Sequence, residues 1–347
     1  MIRLHTAIVF AVILIPATIS GQTVVNTEKG PLEIIGLDEW SYQALEDSLA
    51  RYAPGESLRS HACAAVLQQH LGFPSAAVSI YMGAQGQPRT YVVTIVEPQF
   101  SARATKRTMS AAAGADQWTA VRQVLTDSSS FASGFLQQHL QFFGRFQRES
   151  PDSLKEFLKN VFGAEEASRA IALFEAMAQH DQSADRALAI SALTSDGNES
   201  NRAIAAAILA SFPESDASWY ALTAGLRDPN ERVASLARTA LKLMIQQGAR
   251  TIDWSPAKDD LRPLLAGANA WAYAELLTVL TETEISPELA MTLLVDNGHL
   301  VLAHARAVYQ GASSPAAKFL GHVSRMPDAG PQEWQEWIKG LSQQSGM

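Results

Sequence analysis

The chain changes its hydrophobic rhythm about a third of the way along. From Leu32 to Val96 the apolar residues come in short runs separated by glycines and prolines. From Trp118 onward they recur at three- and four-residue spacing, one face of a helix at a time. Leu32-Glu33-Ile34-Ile35, ended by Gly36, reads as a strand, and Ser41 can cap a helix that sets Tyr42, Leu45, Leu49 and Tyr52 on one side until Pro54-Gly55 closes it. A second helix is expected from about Leu58 to Leu71, stopped by Gly72. Ala77 to Tyr81 and Thr90 to Val96 then form two strands of a hairpin around Gly83 to Pro88. The order strand, helix, helix, strand, strand predicts an α+β module over 31–98, preceded by a polar joint over 22–30.

The remainder predicts an all-α region. Residues 99–115, rich in Ser, Ala and Thr, read as a linker whose Arg103, Lys106 and Arg107 are either a solvated surface or a contact for anionic lipid or an acidic partner. In a helical connector over 116–149, Phe131, Phe135, Phe142 and Phe146 return to one face beside Leu136, Leu140 and Phe143. That stripe is expected to be covered by later helices. Left uncovered, it would be a groove for a partner helix or lipid.

Caps then mark a repeat array over 150–341. Ser150-Pro151, Ser255-Pro256, Ser286-Pro287 and Ser314-Pro315 each set a capping hydroxyl before a proline at the first helical position, and Ser183 and Ser215 or Ser218 open two more units. These marks fall about 28 to 40 residues apart, which suits stacked helical hairpins and predicts about six of them. Second helices are expected to begin near Glu165, Ser200, Asn230, Asn269, Gly298 and Pro331. The last helix, with Trp334, Trp337, Ile338 and Leu341 beside Glu333, Glu336 and Lys339, reads as a terminal cap with one wet face, or Trp334 and Trp337 are partner contacts; 342–347 is a tail.

Two resemblances follow from these words. Leu226, Asp228, Val233 and Ala237 match the Leu, Asp, Val-Arg, Ala pattern of HEAT repeats, with Ala234 where that family usually has Arg. Leu193, Asp196, Arg202 and Ala205 match in the preceding unit, with Asn201 in place of Val. The likeness to HEAT repeats is best over 183–245 and looser over 150–341, and it implies an α-solenoid. Ile34-Ile35-Gly36, Pro54-Gly55, Leu71-Gly72-Phe73 and Val93-Thr94-Ile95-Val96-Glu97-Pro98 resemble a POTRA module, which implies an exported domain that recognises polypeptides, often by strand addition at a sheet edge. An unrelated small α/β sandwich of the same order is the alternative. No membrane barrel follows, so a barrel-assembly role does not carry over.

Composition narrows the function. The 347 residues carry a net charge of −8, which disfavours a nucleic-acid partner. Arg3 and His5 precede an apolar run from Ala7 to Ile15, with Pro16 and then small residues. Residues 1–21 therefore read as a signal peptide cut after Ser20 or Gly21, the alternative being an uncleaved anchor. Export to the periplasm or the extracellular side of a bacterium, with outer-membrane association as one version, is the expectation, and no integral membrane segment is expected after cleavage. The single cysteine, Cys63, has no partner for an intramolecular disulfide and sits at helical spacing with Leu67 and Leu71, as a buried thiol would. No phosphate loop, paired-Cys set or nucleophile elbow occurs; His299 and His304, five apart, do not share a helix face, and neither do His61 and His70.

The sequence therefore points to a non-enzymatic exported protein, without catalytic residues, cofactor or metal, that binds another polypeptide through its helical repeats with the α/β module as a second contact. An envelope scaffold or spacer is the alternative, and an enzyme on a helical scaffold the remote one. The partner, an envelope complex in one version, has no identity in the sequence.

Overall fold

The computed structural model describes residues 22–27, 29–82, 88–110, 118–126, 132–146, 148–248 and 250–344. The expected signal peptide, the Gly83 to Gln87 part of the hairpin turn, Phe131 and the side chain of Phe135 lie outside the described residues.

A four-stranded sheet comes first, in the order β1-β2-β4-β3. Its strands are β1 (Gln22–Thr27), β2 (Gly30–Ile35), β3 (Ser75–Tyr81) and β4 (Thr90–Val96). β4 is central: it runs parallel to β2, with Ile34 beside Val93, and antiparallel to β3, with Val78 beside Val93. Helices α1 (Tyr42–Tyr52) and α2 (Ala62–Leu71) join β2 to β3, giving the expected strand, helix, helix, strand, strand order. Ser41 accepts a hydrogen bond from the Ala44 N–H, and Gly72 ends α2 with a left-handed φ of 72°. α2 begins at Ala62, and Leu58 to His61 form a turn before it.

One expectation is corrected here. The polar joint over 22–30 is largely strand, because Gln22 to Thr27 pair antiparallel with Gly30 to Ile35. An edge strand with one wet face needs no long apolar run, so its alternation is easily read as a polar loop.

Alternate side chains of the sheet face opposite ways. Leu32, Ile34, Val78, Val93 and Ile95 face α1 and α2, forming a core with Leu45, Leu49, Cys63 and Leu67. The other face is buried too, against the helical region: Ile35 and Val92 pack on Ala303, Ala307 and Ala312, and Val96 belongs to the main helical core. The sheet is thus a shared middle layer between the two parts of the chain.

Helices follow: α3 (Thr119–Thr126), α4 (Ala132–Phe146), α5 (Pro151–Phe162), α6 (Ala164–Met177), α7 (Ser183–Ser195), α8 (Glu199–Leu209), α9 (Asp216–Gly225) and α10 (Glu231–Gln247). Then come α11 (Lys258–Leu265), α12 (Tyr273–Glu282), α13 (Pro287–Ala305), α14 (Gln310–Ser324) and α15 (Pro331–Gln344). The pairs α5–α6, α7–α8, α9–α10 and α13–α14 each lie against each other, with α7, α9, α11 and α13 contacting in turn as one row and α8, α10, α12 and α14 as the other. α4 contacts α6 and, in the second row, α8 and α10. Its stripe is covered where it is described: Leu136, Leu140 and Phe143 join the main core, and Phe146 packs with Leu154, Leu158 and Ala167.

The caps at Ser150-Pro151 and Ser286-Pro287 open α5 and α13, each serine accepting from an N–H three residues on. The expected joint at Gly298 and start at Ser314-Pro315 are corrected: α13 runs unbroken through Gly298, and α14 begins four residues before Ser314. Five helix pairs and a final helix result among the described residues, where six hairpins were expected. Gly298 sits inside α13 because Ile338 of α15 lies on it, 2.8 Å from where a Cβ would stand. The Asn297 side-chain nitrogen donates to the carbonyls of Leu293 and Arg262, so its N–H groups are used without the chain leaving the helix.

The linker reading of 99–115 is also corrected for its described part, which is a strap across the helix turns. The Arg107 N–H donates to the Arg227 carbonyl at 2.8 Å and its guanidinium to the Thr194 carbonyl. Arg103 donates to the Asp296 carbonyl at 2.8 Å, and Arg227 returns a bond to the Thr105 carbonyl at 3.0 Å. The basic trio is engaged within the chain, and burial pulls the Arg107 guanidinium below its ordinary pKa.

Candidate functional site

The eight repeat-motif residues build the helical region. Leu193, Ala205, Leu226, Val233 and Ala237 are core side chains, and Asp196, Arg202 and Asp228 form a buried polar ladder between consecutive turns. The Arg202 guanidinium donates to both Asp228 oxygens at 2.7 and 3.0 Å and to the Asp196 carbonyl at 2.8 Å. Asp228 also accepts from the Asn230 N–H, and Asp196 from the Asn198 N–H and the Asn201 amide. Arg202 and Asp228 are an ion pair and the Asp196 carboxylate is hydrogen-bonded, which is what burial of charge requires. Trp334 is 3% exposed, within the main core, and Trp337 is half-buried.

The histidines lie apart. His61 meets the Trp271 ring edge-on, His70 stacks on Tyr52, His299 on Phe100 and His304 on Tyr273. Among the described residues no group of three or more His, Cys, Asp or Glu could hold a metal ion, and no helix is long and apolar enough to cross a membrane. Cys63 is buried and its thiol is pushed up to about 12 by desolvation, then by Glu46 and Glu56.

A concavity runs along β3. It has a volume of about 720 Å³ and is walled on one side by His61, just before α2, and by Ala64, Ala65, Gln68 and Gln69 of α2. On the other side stand Glu231, Ala234, Ser235 and Arg238 of α10, with Ala268, Asn269 and Trp271 at the bottom. Among the described residues β3 pairs with β4 alone. Along its other edge the Gln68 amide donates to the Ala76 carbonyl at 3.4 Å. Lys106 and Glu231, 4.0 Å apart, stand at one end.

Trp271 holds the centre. It is 40% exposed, on a turn anchored where Ser75 Oγ accepts from the Ala270 N–H at 2.8 Å. The Arg238 guanidinium lies 5.3 Å from its ring centroid and 3.3 Å from Glu275. Past Trp271 the groove meets a chamber of about 370 Å³ between the outer face of the sheet and α10, α12 and α14. Ser79 and Tyr81 line it from β3, and His304 from α13. Burial raises the Tyr81 hydroxyl and lowers the His304 imidazole to about 4, the nearby Ala312 backbone opposing the latter.

Of the groove residues, Lys106, Leu226, Asp228 and Asn269 carried sequence signals as a basic residue, repeat words and a helix start, and Ala234 as the departure from the repeat pattern, but none of these marked a groove. Trp271, Arg238 and the β3 edge meet only through contacts far apart in the chain. No family model matches this chain, and neither does any curated protein or solved structure.

Proposed function

We propose that this protein binds an extended polypeptide segment, added as a further strand to the edge of β3 in the groove between α2 and α10. The observation that carries this reading is the edge of β3 that pairs with no strand among the described residues and opens into a groove of about 720 Å³. Such an edge offers backbone donors and acceptors to a strand, and grooves beside it offer places for alternate side chains. The helix pairs, read as an α-solenoid of HEAT-like units, supply the second wall. The POTRA-like module supplies the edge, so both parts contribute to one site. The export signal is part of the proposal: cleavage after Ser20 or Gly21 leaves Gln22, the first residue of β1, on the mature chain.

A random peptide display library panned on the mature chain tests the reading. Selected peptides are expected to lose binding at least tenfold in Ala65→Arg and Ser235→Arg, which narrow the groove from either wall, and to keep it in Val161→Arg on exposed α5. β3 amides are expected to exchange more slowly in the complex. No selected peptide, or peptides indifferent to both groove variants, would overturn the proposal.

A further inference from the structure

The sheet has a second edge. Among the described residues β1 pairs with β2 alone, with Thr23, Val24 and Val25 half-buried and Asn26 exposed. At β3 the walls of α2 and α10 leave room for one strand and not for another sheet. Edge strands are ordinarily protected by a charged side chain, a proline or a bulge. β1 has none of these: Gln22-Thr23-Val24-Val25-Asn26-Thr27 is uncharged, and its register runs unbroken from Gln22 opposite Ile35 to Thr27 opposite Gly30. A strand without charge can meet a copy of itself without repulsion, and two-fold pairing is the commonest closed arrangement of identical chains. An antiparallel pair about an axis normal to the sheet keeps each face on its own side, so opposed residues are an even number of positions apart. Centred on Val24, such a pair sets Val24 against itself and Gln22 against Asn26 on the outer face, and Thr23 against Val25 on the face of α1 and α2. Centred on Val25, it would set Val24 against the Asn26 amide. The outer face extends the apolar match: Val24 lies opposite Glu33, and Val308, whose N–H Glu33 accepts, is 72% exposed.

We propose that β1 is the interface of a two-fold dimer, in which the β1 strands of two copies of this chain pair antiparallel about Val24 and join two sheets into one. Each copy keeps its β3 edge free, so the dimer stands apart from strand addition. Sedimentation velocity of the mature chain over a concentration series is expected to show a monomer–dimer equilibrium with nothing larger. Val24→Lys and Val24→Glu each set like charges opposite one another on the axis, and each is expected to weaken the dimer at least about tenfold. Mixing the two is expected to restore it, because the mixed pair sets opposite charges there. Val24→Cys is a milder change, and paired Cβ atoms about 5 Å apart permit a disulfide. It is expected to cross-link two copies under mild oxidation, and Asn26→Cys, off the axis, far more slowly; the native Cys63 is buried. Circular dichroism confirms the fold of each variant.

A monomer at every concentration, a dimer that Val24→Lys leaves intact, no recovery in the mixture, or cross-linking no faster at 24 than at 26 overturns the proposal. Growth beyond the dimer overturns it too, since β1 of one copy on β3 of the next makes an open chain of copies. A dimer broken by Ala65→Arg would seat the second copy in the β3 groove and has the same force. Peptides selected on a monomeric chain leave strand addition standing without the dimer.

Discussion

Glu33 tests whether the α/β module and the helices are one body. It lies on β2, 2% exposed, on the face turned toward the helices. Its carboxylate accepts from the Gln22 amide at 2.5 Å, the Val308 N–H at 2.6 Å and the Tyr309 N–H at 3.0 Å. The last two belong to the residues that open α14, so a charge in the sheet caps a helix more than 270 positions away. Glu33→Ala leaves those two N–H groups without their acceptor, at about 1–3 kcal/mol each, for a loss of roughly 2–6 kcal/mol. Glu33→Gln keeps an oxygen and loses the charge next to the helix start, for about 1 kcal/mol. Urea unfolding followed by circular dichroism and by tryptophan fluorescence reads both effects. Trp40 reports on the module and the buried Trp219 and Trp254 on the helices. Because Val96 sits in the helical core and Ile35 packs on Ala303, the two signals are expected to fall together and shift together in Glu33→Ala. A loss under about 1 kcal/mol, or a shift confined to the Trp40 signal, would refute the shared-layer architecture.

The ladder makes a second test: Arg202→Met or Asp228→Asn alone is expected to cost roughly 3–5 kcal/mol in urea unfolding, since each strands a buried partner, while Arg202→Met with Asp228→Leu recovers most of it. A double variant no better than the singles would deny the pairing. Acid stability makes a third. His139 and His304 are buried with their pKa values lowered to about 4, so the unfolded chain binds protons that the folded chain refuses. Stability is therefore full above about pH 6.5 and lost as pH falls toward about 4, by up to roughly 3 kcal/mol per ring. His304→Leu should flatten that slope, and an unchanged slope would contradict it. At Gly298 an added methyl meets Ile338, so Gly298→Ala is expected to destabilise by about 1–3 kcal/mol despite the better helix propensity, and Ile338→Ala to relieve the overpacking. Differential scanning calorimetry of the two singles and the double reads this, and a stabilised Gly298→Ala would refute the close approach.

What was legible in the sequence was stored in neighbours. Ser41 with Ala44, Gly72 at the end of α2, and the Ser-Pro pairs at 150 and 286 decide their local backbone within a few residues, and the helices start and stop there. Asn297-Gly298 carries the same local words and breaks nothing, because Ile338 and the Arg262 carbonyl supply what a turn would otherwise provide. The strap at 101–110 reads as linker for a like reason: Arg103 and Arg107 find carbonyls at Asp296 and Thr194. The groove was the least legible, since no local motif records that β3 would lie beside α10. Leu226, Asp228 and Ala234 line it and were read as repeat positions, which says how α10 is built and not what lies beside it.

The departure at Ala234 has a physical cause. Arg202 reaches from one unit to Asp228 in the turn of the next, so an arginine at 234 would reach toward the turn at 267–269. That turn is Gly-Ala-Asn and offers no carboxylate; Asn269 instead reaches back to the Leu226 carbonyl at 2.8 Å. Gly267 takes a φ of 94°, and Val96 and Leu300 lie where its Cβ would be, so the sheet presses onto this turn and leaves no room for a larger residue. Gly36, with a φ of 95° against the Ile95 carbonyl and Leu300, marks the same seam from the side of the sheet. The ladder stops where the α/β module docks. Ala234 is what keeps the wall of α10 clear beside β3, because an arginine there would find no carboxylate in the turn at 267–269 and would lie in the groove. One residue that breaks the repeat pattern thus both ends the ladder and leaves the edge of β3 open.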